Sequence, residues 1–503
     1  MNLNRFKLAI MMFLQFFIWG AWYVTAPNFL GTIGFNASDF GWTYAVGPIA
    51  GIITPLFVGM VADRFFAGEK VLGVLHLAGA GLMYFASQLM VTATPSPSNI
   101  NIVFFLYMLT YFPTLALTNT IAMRNMQDPA KEFPVIRVFG TIGWIAAGLV
   151  LTWTSLETTV GMFQLTAASA LVLGILSFVL PNTPPNREQK TSVGQILGVD
   201  AWKLLKDKTY LTFIISSILI CIPLAFYYQI ASRVVEMSQL PIGQTMSYGQ
   251  MSEIFFMLLV PLFYVRLGVK KMLAIGMLTW VARYALFSLG APIENRIMII
   301  LGVAIHGICY DFFFVTGQIY TDKKAADPIR AQAQGLLVML TLGIGMFVGA
   351  KAAAYVESTC TPPESIAAQK NGQVLASRIQ EIDDKLKVLE GGAAVQLTPA
   401  DRQSLETEKE QLAEEKKEQR MVELRSINWK KLWAIPCVFA AVVMGFFLVF
   451  FKDDSRDSTS DGDGDGDGES SDPPPQDDSD DGDRYAAYEM DDPEDEHDEA
   501  GES

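Results

Sequence analysis

Stretches of about 20 predominantly apolar residues recur along the chain between short polar turns. A helix rising 1.5 Å per residue needs about that length to cross a hydrocarbon core of about 30 Å. The pattern predicts twelve such helical segments, near residues 8–31, 41–62, 71–93, 101–123, 134–155, 160–180, 209–232, 246–267, 271–290, 296–321, 331–356 and 432–451, numbered one to twelve in chain order. The first is too long for a signal-peptide core and lacks a small-residue cleavage site leading into a soluble domain, so it reads as an uncleaved span.

Two polar breaks organise the rest. Between segments six and seven, residues 181–208 begin with Pro181, Pro184 and Pro185 and continue into a basic stretch around Trp202, Leu204 and Leu205. Between segments eleven and twelve, Leu375, Ile379, Ile382, Leu386 and Leu389 are spaced four and three apart, Gly391 and Gly392 interrupt, and Thr398-Pro399-Ala400-Asp401 has the residues of a helix start, which predicts a charged helical hairpin. The expected organisation is all-α and polytopic: a six-helix bundle over 1–180, a cytoplasmic linker over 181–208, a second six-helix bundle over 209–451 carrying an extracytoplasmic hairpin at 358–428, and an acidic cytoplasmic tail over 452–503. Lys and Arg fix the expected orientation, because with a cytoplasmic N-terminus the short inside loops hold Arg5, Lys7, Arg124, Lys131, Lys270, Lys271, Lys323 and Lys324 while the short outside loops hold only Arg233 and Arg296. Both termini then lie in the cytoplasm.

Composition agrees with a membrane protein and excludes an ordinary soluble enzyme: of 503 residues 51% are hydrophobic and only 18% charged, with mean hydropathy +0.30. The net charge of −15 belongs to the tail, where residues 452–503 hold 23 Asp and Glu against Lys452, Arg456 and Arg484. The other 451 residues carry 34 basic and 29 acidic groups, a net +5. The tail is rich in Asp, Gly, Ser and Pro and is expected to be disordered. Its Asp461-to-Asp467 run lacks the flanking helices of a calcium loop and reads as a solvated acidic stretch. Cys221, Cys309, Cys360 and Cys437 have no disulfide or zinc spacing, so no metal, cofactor or nucleic-acid partner is expected.

Chemistry enters through the few polar groups in apolar segments. Gly59-Met-Val-Ala-Asp63-Arg64 ends segment two, and Tyr264-Val-Arg266-Leu-Gly268 ends segment eight, six segments later. Gly59, Asp63, Arg64, Arg266 and Gly268 are therefore expected to form matching cytoplasmic gating turns of two duplicated halves. Each ionisable group at mid-span costs about 2.5 to 3.5 kcal/mol on insertion scales, so Arg137, Glu253, Arg283 and Asp311 demand a reason. Arg137, Thr141 and Trp144 fall at i, i+4 and i+7 on one face of segment five, and Gln250 and Glu253 at i and i+3 on segment eight. His306, Tyr310 and Phe313 share a face of segment ten with Asp311 beside it. These sets predict a polar, aromatic cavity suited to a solute with a flat ring and several hydroxyls, in which Glu253 or Asp311 loads and releases a proton. Arg283 beside Trp280 and Tyr284 reads as a structural cation, Lys351 as a snorkelling side chain, and His76 as a packing histidine.

Five stretches carry a family resemblance: Leu14-Gln-Phe-Phe-Ile-Trp-Gly-Ala-Trp22, Tyr111-Phe-Pro-Thr-Leu-Ala-Leu-Thr-Asn-Thr120, Phe133-Pro-Val-Ile-Arg-Val-Phe-Gly-Thr-Ile-Gly143, Gln250-Met-Ser-Glu253 and Arg330-Ala-Gln-Ala-Gln-Gly335. In order and spacing the chain resembles the nucleoside-proton symporter family of the major facilitator superfamily. The resemblance implies a twelve-helix permease with a central cavity between its halves. It places Arg137, Thr141, Gln250, Glu253 and Asp311 at substrate and coupling positions, and Trp144 and Tyr310 at aromatic ones. Segment seven departs from the pattern: where amides are expected it reads Ala225-Phe-Tyr227-Tyr228-Gln229, so only Gln229 supplies an amide.

The expected substrate-binding set is therefore Arg137, Thr141, Trp144, Tyr228, Gln229, Gln250, Glu253, His306, Tyr310 and Asp311, with Glu253, Asp311 and Arg137 coupling the proton. The expected function is proton-coupled nucleoside uptake across the inner or plasma membrane, by a monomer whose partners are the nucleoside, protons and the lipid bilayer. A sugar or other polyhydroxylated solute also suits such a cavity, and a solute sensor signalling through the tail is a third reading. No catalytic motif stands in a setting that an enzyme needs.

Overall fold

The computed structural model describes residues 3–54, 66–185, 194, 198–390 and 399–452. The first of the two gating turns (Gly59, Asp63, Arg64) and the acidic tail beyond Lys452, with its Asp461-to-Asp467 run, lie outside these residues. Every predicted apolar segment contains helix, and no strand occurs among the described residues. Eight of the described helices are long and apolar enough to cross a membrane. Regular helices pair every backbone N–H and C=O within themselves, as an apolar medium requires.

Their starts are written in the sequence. Ser96 and Asp128 cap helices that begin Pro97 and Pro129, and Asp207, Asn295 and Asn428 accept hydrogen bonds from the backbone N–H groups of Tyr210 (2.9 Å), Met298 (3.1 Å) and Lys431 (3.1 Å). Each cap satisfies a donor that the first turn leaves without an intrahelical partner. Segments three to seven are then the uninterrupted helices Gly68–Met90, Pro97–Arg124, Pro129–Trp153, Gly161–Ser177 and Lys208–Met237.

Segments eight and nine form one helical run, Ile242–Gly290, broken at Gly268. At 49 residues it is far longer than one membrane crossing uses. The break has φ 70° and ψ 174°, a region open only to glycine. Gly268, expected in a gating turn, thus has a defined backbone role, and Arg266 beside it is exposed.

Other segments are interrupted. Segment one is Leu3–Gly20, then a turn through Trp22 and Tyr23, then Ala26–Leu30. Segment two is Ala37–Thr43, opened by a capping box between Asn36 and Asp39, followed by helix over 46–54. Segment ten runs Arg296–Ala304, His306–Tyr310, a π-helical turn Asp311–Val315, and Thr316–Lys324. Segment eleven contains a second π-helical stretch, Met339–Gly345, between Arg330–Val338 and Met346–Cys360. Trp429–Phe450 closes the bundle.

Residues 363–390 and 399–426 are helices that share an apolar seam of Leu375, Ile382 and Leu412, flanked by Ile379, Leu386 and Leu405. Among the groups read as structural, the His76 Nε2 lies 2.9 Å from Gln15 Oε1, whose amide donates to Thr114 Oγ1 (2.8 Å). Arg283 is fully buried with its guanidinium carbon 4.3 Å from the Tyr227 ring centre and 4.9 Å from that of Trp280. Lys351 Nζ sits 3.0 Å over the Trp42 ring.

Substituting Gly268→Ala forces a Cβ into a glycine-only backbone region. The expected cost is about 1–3 kcal/mol, read as a lowered melting temperature of the detergent-purified protein.

Candidate functional site

A cavity lies between helices of the two sequence halves. From the first half, segment five presents Arg137, Thr141 and Trp144 to it, one turn after another on a single face. Segment one adds Phe16, Trp19 and Tyr23, and Pro48 and Phe112 complete that side. From the second half come Tyr228, Gln250, Glu253 and Tyr310, with Leu224, Leu342 and Met346 between them.

Arg137 is held in place by its neighbours. Its guanidinium carbon stands 4.1 Å from the Phe16 ring centre, a cation–π contact, and Gly140 leaves the room this needs. A Cβ on Gly140 would come within 2.6 Å of Phe16 Cδ2 and 2.8 Å of Arg137 Nη1. Gly20 does the same for Trp144, since a Cβ there would lie 3.0 Å from the Trp144 carbonyl oxygen. Trp144 and Trp19 meet edge to face with centres 5.4 Å apart. In the cavity wall the two halves meet where Tyr23 and Tyr228 approach to 5.7 Å, and the Tyr44 hydroxyl donates to the Tyr23 carbonyl (2.6 Å).

Across the cavity, Glu253 and Arg137 interact electrostatically. Segments eight and ten pack tightly behind Glu253: the Gly307 N–H donates to Ser252 Oγ (3.1 Å), and a Cβ on Gly249 would touch His306 Cβ at 3.1 Å. Small residues at both points allow the close approach. The His306 ring is layered between Tyr227 (5.3 Å) and Tyr310 (5.7 Å), and its Nε2 lies 3.9 Å from Glu253 Oε2.

Three residues expected to line the cavity do not. Tyr228 takes the cavity-facing position of segment seven, and one residue on, about 100° around the helix, Gln229 points to segment eleven, where its amide donates to Glu357 Oε2 (3.4 Å). Glu357 is in turn paired with Arg233 at 2.7 Å. His306 stands behind the wall and supports Tyr310 and Glu253. Asp311 is fully buried, interacts electrostatically with Glu253, and has no hydrogen-bond partner for either carboxylate oxygen among the described residues. Asp311 follows the cavity-lining Tyr310 by one residue, about 100° around the helix, and the π-helical turn that begins there takes an extra residue and rotates what lies beyond it. Phe313, expected beside His306 and Tyr310, packs instead on segment nine, where a Cβ on Gly276 would lie 3.0 Å from it.

Hydrophobic patterning alone does not single out Phe16, Trp19, Tyr23, Pro48, Phe112, Leu224, Leu342 and Met346 as lining residues. For the first three a signal existed, because positions 16, 19 and 23 are i, i+3 and i+7 of one helix face.

A multi-pass helical protein whose two halves meet around an aromatic cavity holding a cation and a carboxylate is a membrane transporter, and its fold is that of the major facilitators. The crystal structure of nucleoside transporter NupG superposes with a TM-score of 0.71 at 25% identity, covering 90% of this chain and 100% of that one. In sequence, the putative nucleoside transporter YegT of Escherichia coli (strain K12) is 36% identical over 464 residues, 90% of this chain and 95% of its own length. Nucleoside permease NupG of the same organism is 31% identical over 367 residues, 69% of this chain and 86% of its own. Residues 1–371 match the family model described as Nucleoside H+ symporter, and the chain belongs to that family, whose members are proton-coupled nucleoside transporters rather than enzymes.

Gly140→Val pushes the Arg137 guanidinium off the Phe16 ring without touching a charge. Overpacking at this point is expected to cost about 1–3 kcal/mol, read as a lowered melting temperature of the detergent-purified protein.

Proposed function

We propose that this chain imports nucleosides together with protons by alternating access, as a monomer, through twelve spans arranged as two six-helix halves over 1–180 and 209–451. In this reading residues 181–208 link the halves on the cytoplasmic side, both termini and the tail over 452–503 are cytoplasmic, and the hairpin within 358–428 lies outside. The membrane is the cytoplasmic, that is inner or plasma, membrane. The loop charges support that orientation. The observation that carries the proposal is the cavity wall, in which Arg137 and Thr141 of one half face Gln250 and Glu253 of the other across a space bordered by Trp19, Trp144, Tyr228 and Tyr310.

The chemistry of these groups divides naturally between the parts of a nucleoside. Indole and phenol rings offer flat apolar faces to the base. Gln250 has both an acceptor and donors for the base edge, while Thr141, Arg137 and Glu253 can hydrogen-bond ribose hydroxyls. Arg137 is the one basic side chain among the described lining residues, in keeping with a nucleoside rather than a nucleotide.

Coupling follows from charge balance in a site shielded from water. Glu253 is neutralised either by Arg137 or by a proton, and a nucleoside entering between the two separates the pair and makes the proton the favoured partner. Asp311 stands behind Glu253 and extends the route along which the proton leaves after the halves rock. Neither ligand alone completes the site, so they move together. Gln229 and His306 contribute indirectly, by holding segments seven and ten in register.

The test is uptake of radiolabelled uridine and adenosine into proteoliposomes, with and without an inward proton gradient, by the unaltered chain and by Glu253→Gln and Asp311→Asn. Gradient-driven accumulation is expected in the unaltered chain and is lost in Glu253→Gln, while exchange of internal for external nucleoside persists. Accumulation that survives in Glu253→Gln removes that residue from coupling. Flux competed by unlabelled sugars but not by nucleosides points to a polyhydroxylated solute instead.

A further inference from the structure

The hairpin of 363–390 and 399–426 joins the two halves at one end of the bundle, and its polar contacts say how. Its base belongs to the second half: the Asn428 N–H donates to the Cys360 carbonyl (2.9 Å), the Trp429 indole to the Leu424 carbonyl (2.8 Å), and Arg425 pairs with Glu294 through two hydrogen bonds of 2.6 and 3.1 Å. Its body reaches the first half. Gln369 donates to the carbonyls of both Gly31 and Phe35 at 2.9 Å.

Arg420 is the centre of this contact. Its guanidinium makes a two-pronged pair with Glu236 at the end of segment seven (Nε to Oε1 3.0 Å, Nη2 to Oε2 2.8 Å). A third nitrogen donates to Glu423 (2.7 Å), and Nη2 also reaches the Asn28 carbonyl of segment one at 3.4 Å. Asn28 answers from the first half, its amide donating to Glu236 Oε2 (2.8 Å) and to the Ser232 carbonyl (3.1 Å). The side chains of Arg420, Glu236 and Glu423 are 10%, 14% and 10% exposed, so the pairs are shielded from water and salt. Gly31 leaves the space the guanidinium uses, since a Cβ there would lie 2.9 Å from Nη1. Beside this cluster the halves are in close contact: a Cβ on Gly41 would meet Ala354 Cβ at 2.6 Å, and the Arg233 guanidinium stands 4.8 Å from the Phe40 ring centre.

We propose that the hairpin is a clasp: rooted in the second half, it grips residues 28–35 of the first through Arg420 and Gln369, holds that end of the transporter shut, and must release for that end to open. The proposal rests on the alternating-access reading. Rocking that opens this end carries Asn28 and Gly31 away from Glu236 and the hairpin, and hydrogen bonds this short and directional do not stretch with them. Two acids share Arg420, so its loss leaves Glu236 and Glu423 facing each other with only Arg233 nearby, itself paired with Glu357, and drives the end apart. Arg420 and Glu423 lie beyond residue 371, where the match to the family model ends.

The experiment is hydrogen–deuterium exchange by mass spectrometry on the full chain in nanodiscs, comparing the unaltered protein with Arg420→Gln, Arg420→Lys and Glu236→Gln. Freeing the clasp makes local opening easier, so peptides within 22–44 and 346–360 are expected to exchange about tenfold faster in Arg420→Gln and Glu236→Gln. Arg420→Lys, which keeps the charge and loses the fork, falls between. If only peptides of 363–426 speed up while 22–44 and 346–360 keep their rates, the hairpin is a passive appendage and the clasp is overturned. Should Arg420→Gln fail to fold, the other two variants decide by the same criterion. Uridine flux by the unaltered chain is measured in parallel: flux with unchanged exchange overturns the clasp alone, whereas absent flux overturns the nucleoside reading and leaves the exchange result standing.

Discussion

An apolar surrounding supplies no hydrogen bonds and no counter-charges, so every polar group carried into it must be answered from within the protein. This constraint arranges the rest of the molecule. Arg137 is answered by the Phe16 ring and by Glu253, Arg233 by Glu357 and Phe40, and Arg283 by Tyr227 and Trp280. Because aromatic faces can serve a cation without carrying a charge of their own, Arg283 is held between rings with no carboxylate partner among the described residues.

The irregular backbone gathers around the same space. Tyr23 sits in the turn that interrupts segment one, Tyr310 immediately precedes a π-helical turn, and Leu342 and Met346 lie in or next to another. Breaks leave backbone groups without helical partners and are tolerated at membrane depth only where protein or a cavity receives them. Segment five, which supplies Arg137, Thr141 and Trp144, is unbroken. Each wall thus joins a regular helix to interrupted ones: segment five to segment one in the first half, and segment seven to segments ten and eleven in the second.

The contrast between regular and interrupted helices also explains which parts were legible in the sequence. Apolar run length is a strong signal, so the helical segments and the polar interruptions between them stand out. On regular helices the 3.6-residue period places Arg137 with Thr141 and Trp144, and Gln250 with Glu253, because nothing perturbs the count. The period fails for segment ten, where the extra residue of the π turn that begins after Tyr310 takes Phe313 off the face that counting assigns it. Between Tyr228 and Gln229 the chain alone offers no choice. Glu357, more than a hundred residues away in sequence, draws the amide to its own side and leaves the phenol facing the cavity. The clasp was hidden for the same reason, since it depends on Asn28, Glu236 and Arg420 meeting across long sequence separations.

The aromatic wall has a thermodynamic consequence of its own. Rings such as Trp19, Trp144, Tyr228 and Tyr310 have only two side-chain torsions, and packing against neighbouring rings already restricts them. A substrate that settles among them orders little that was not ordered before, so association sacrifices few degrees of freedom in the protein. In the proposed reading stacking is available to every base, and preference among bases falls to the few groups that can read an edge, chiefly the amide of Gln250.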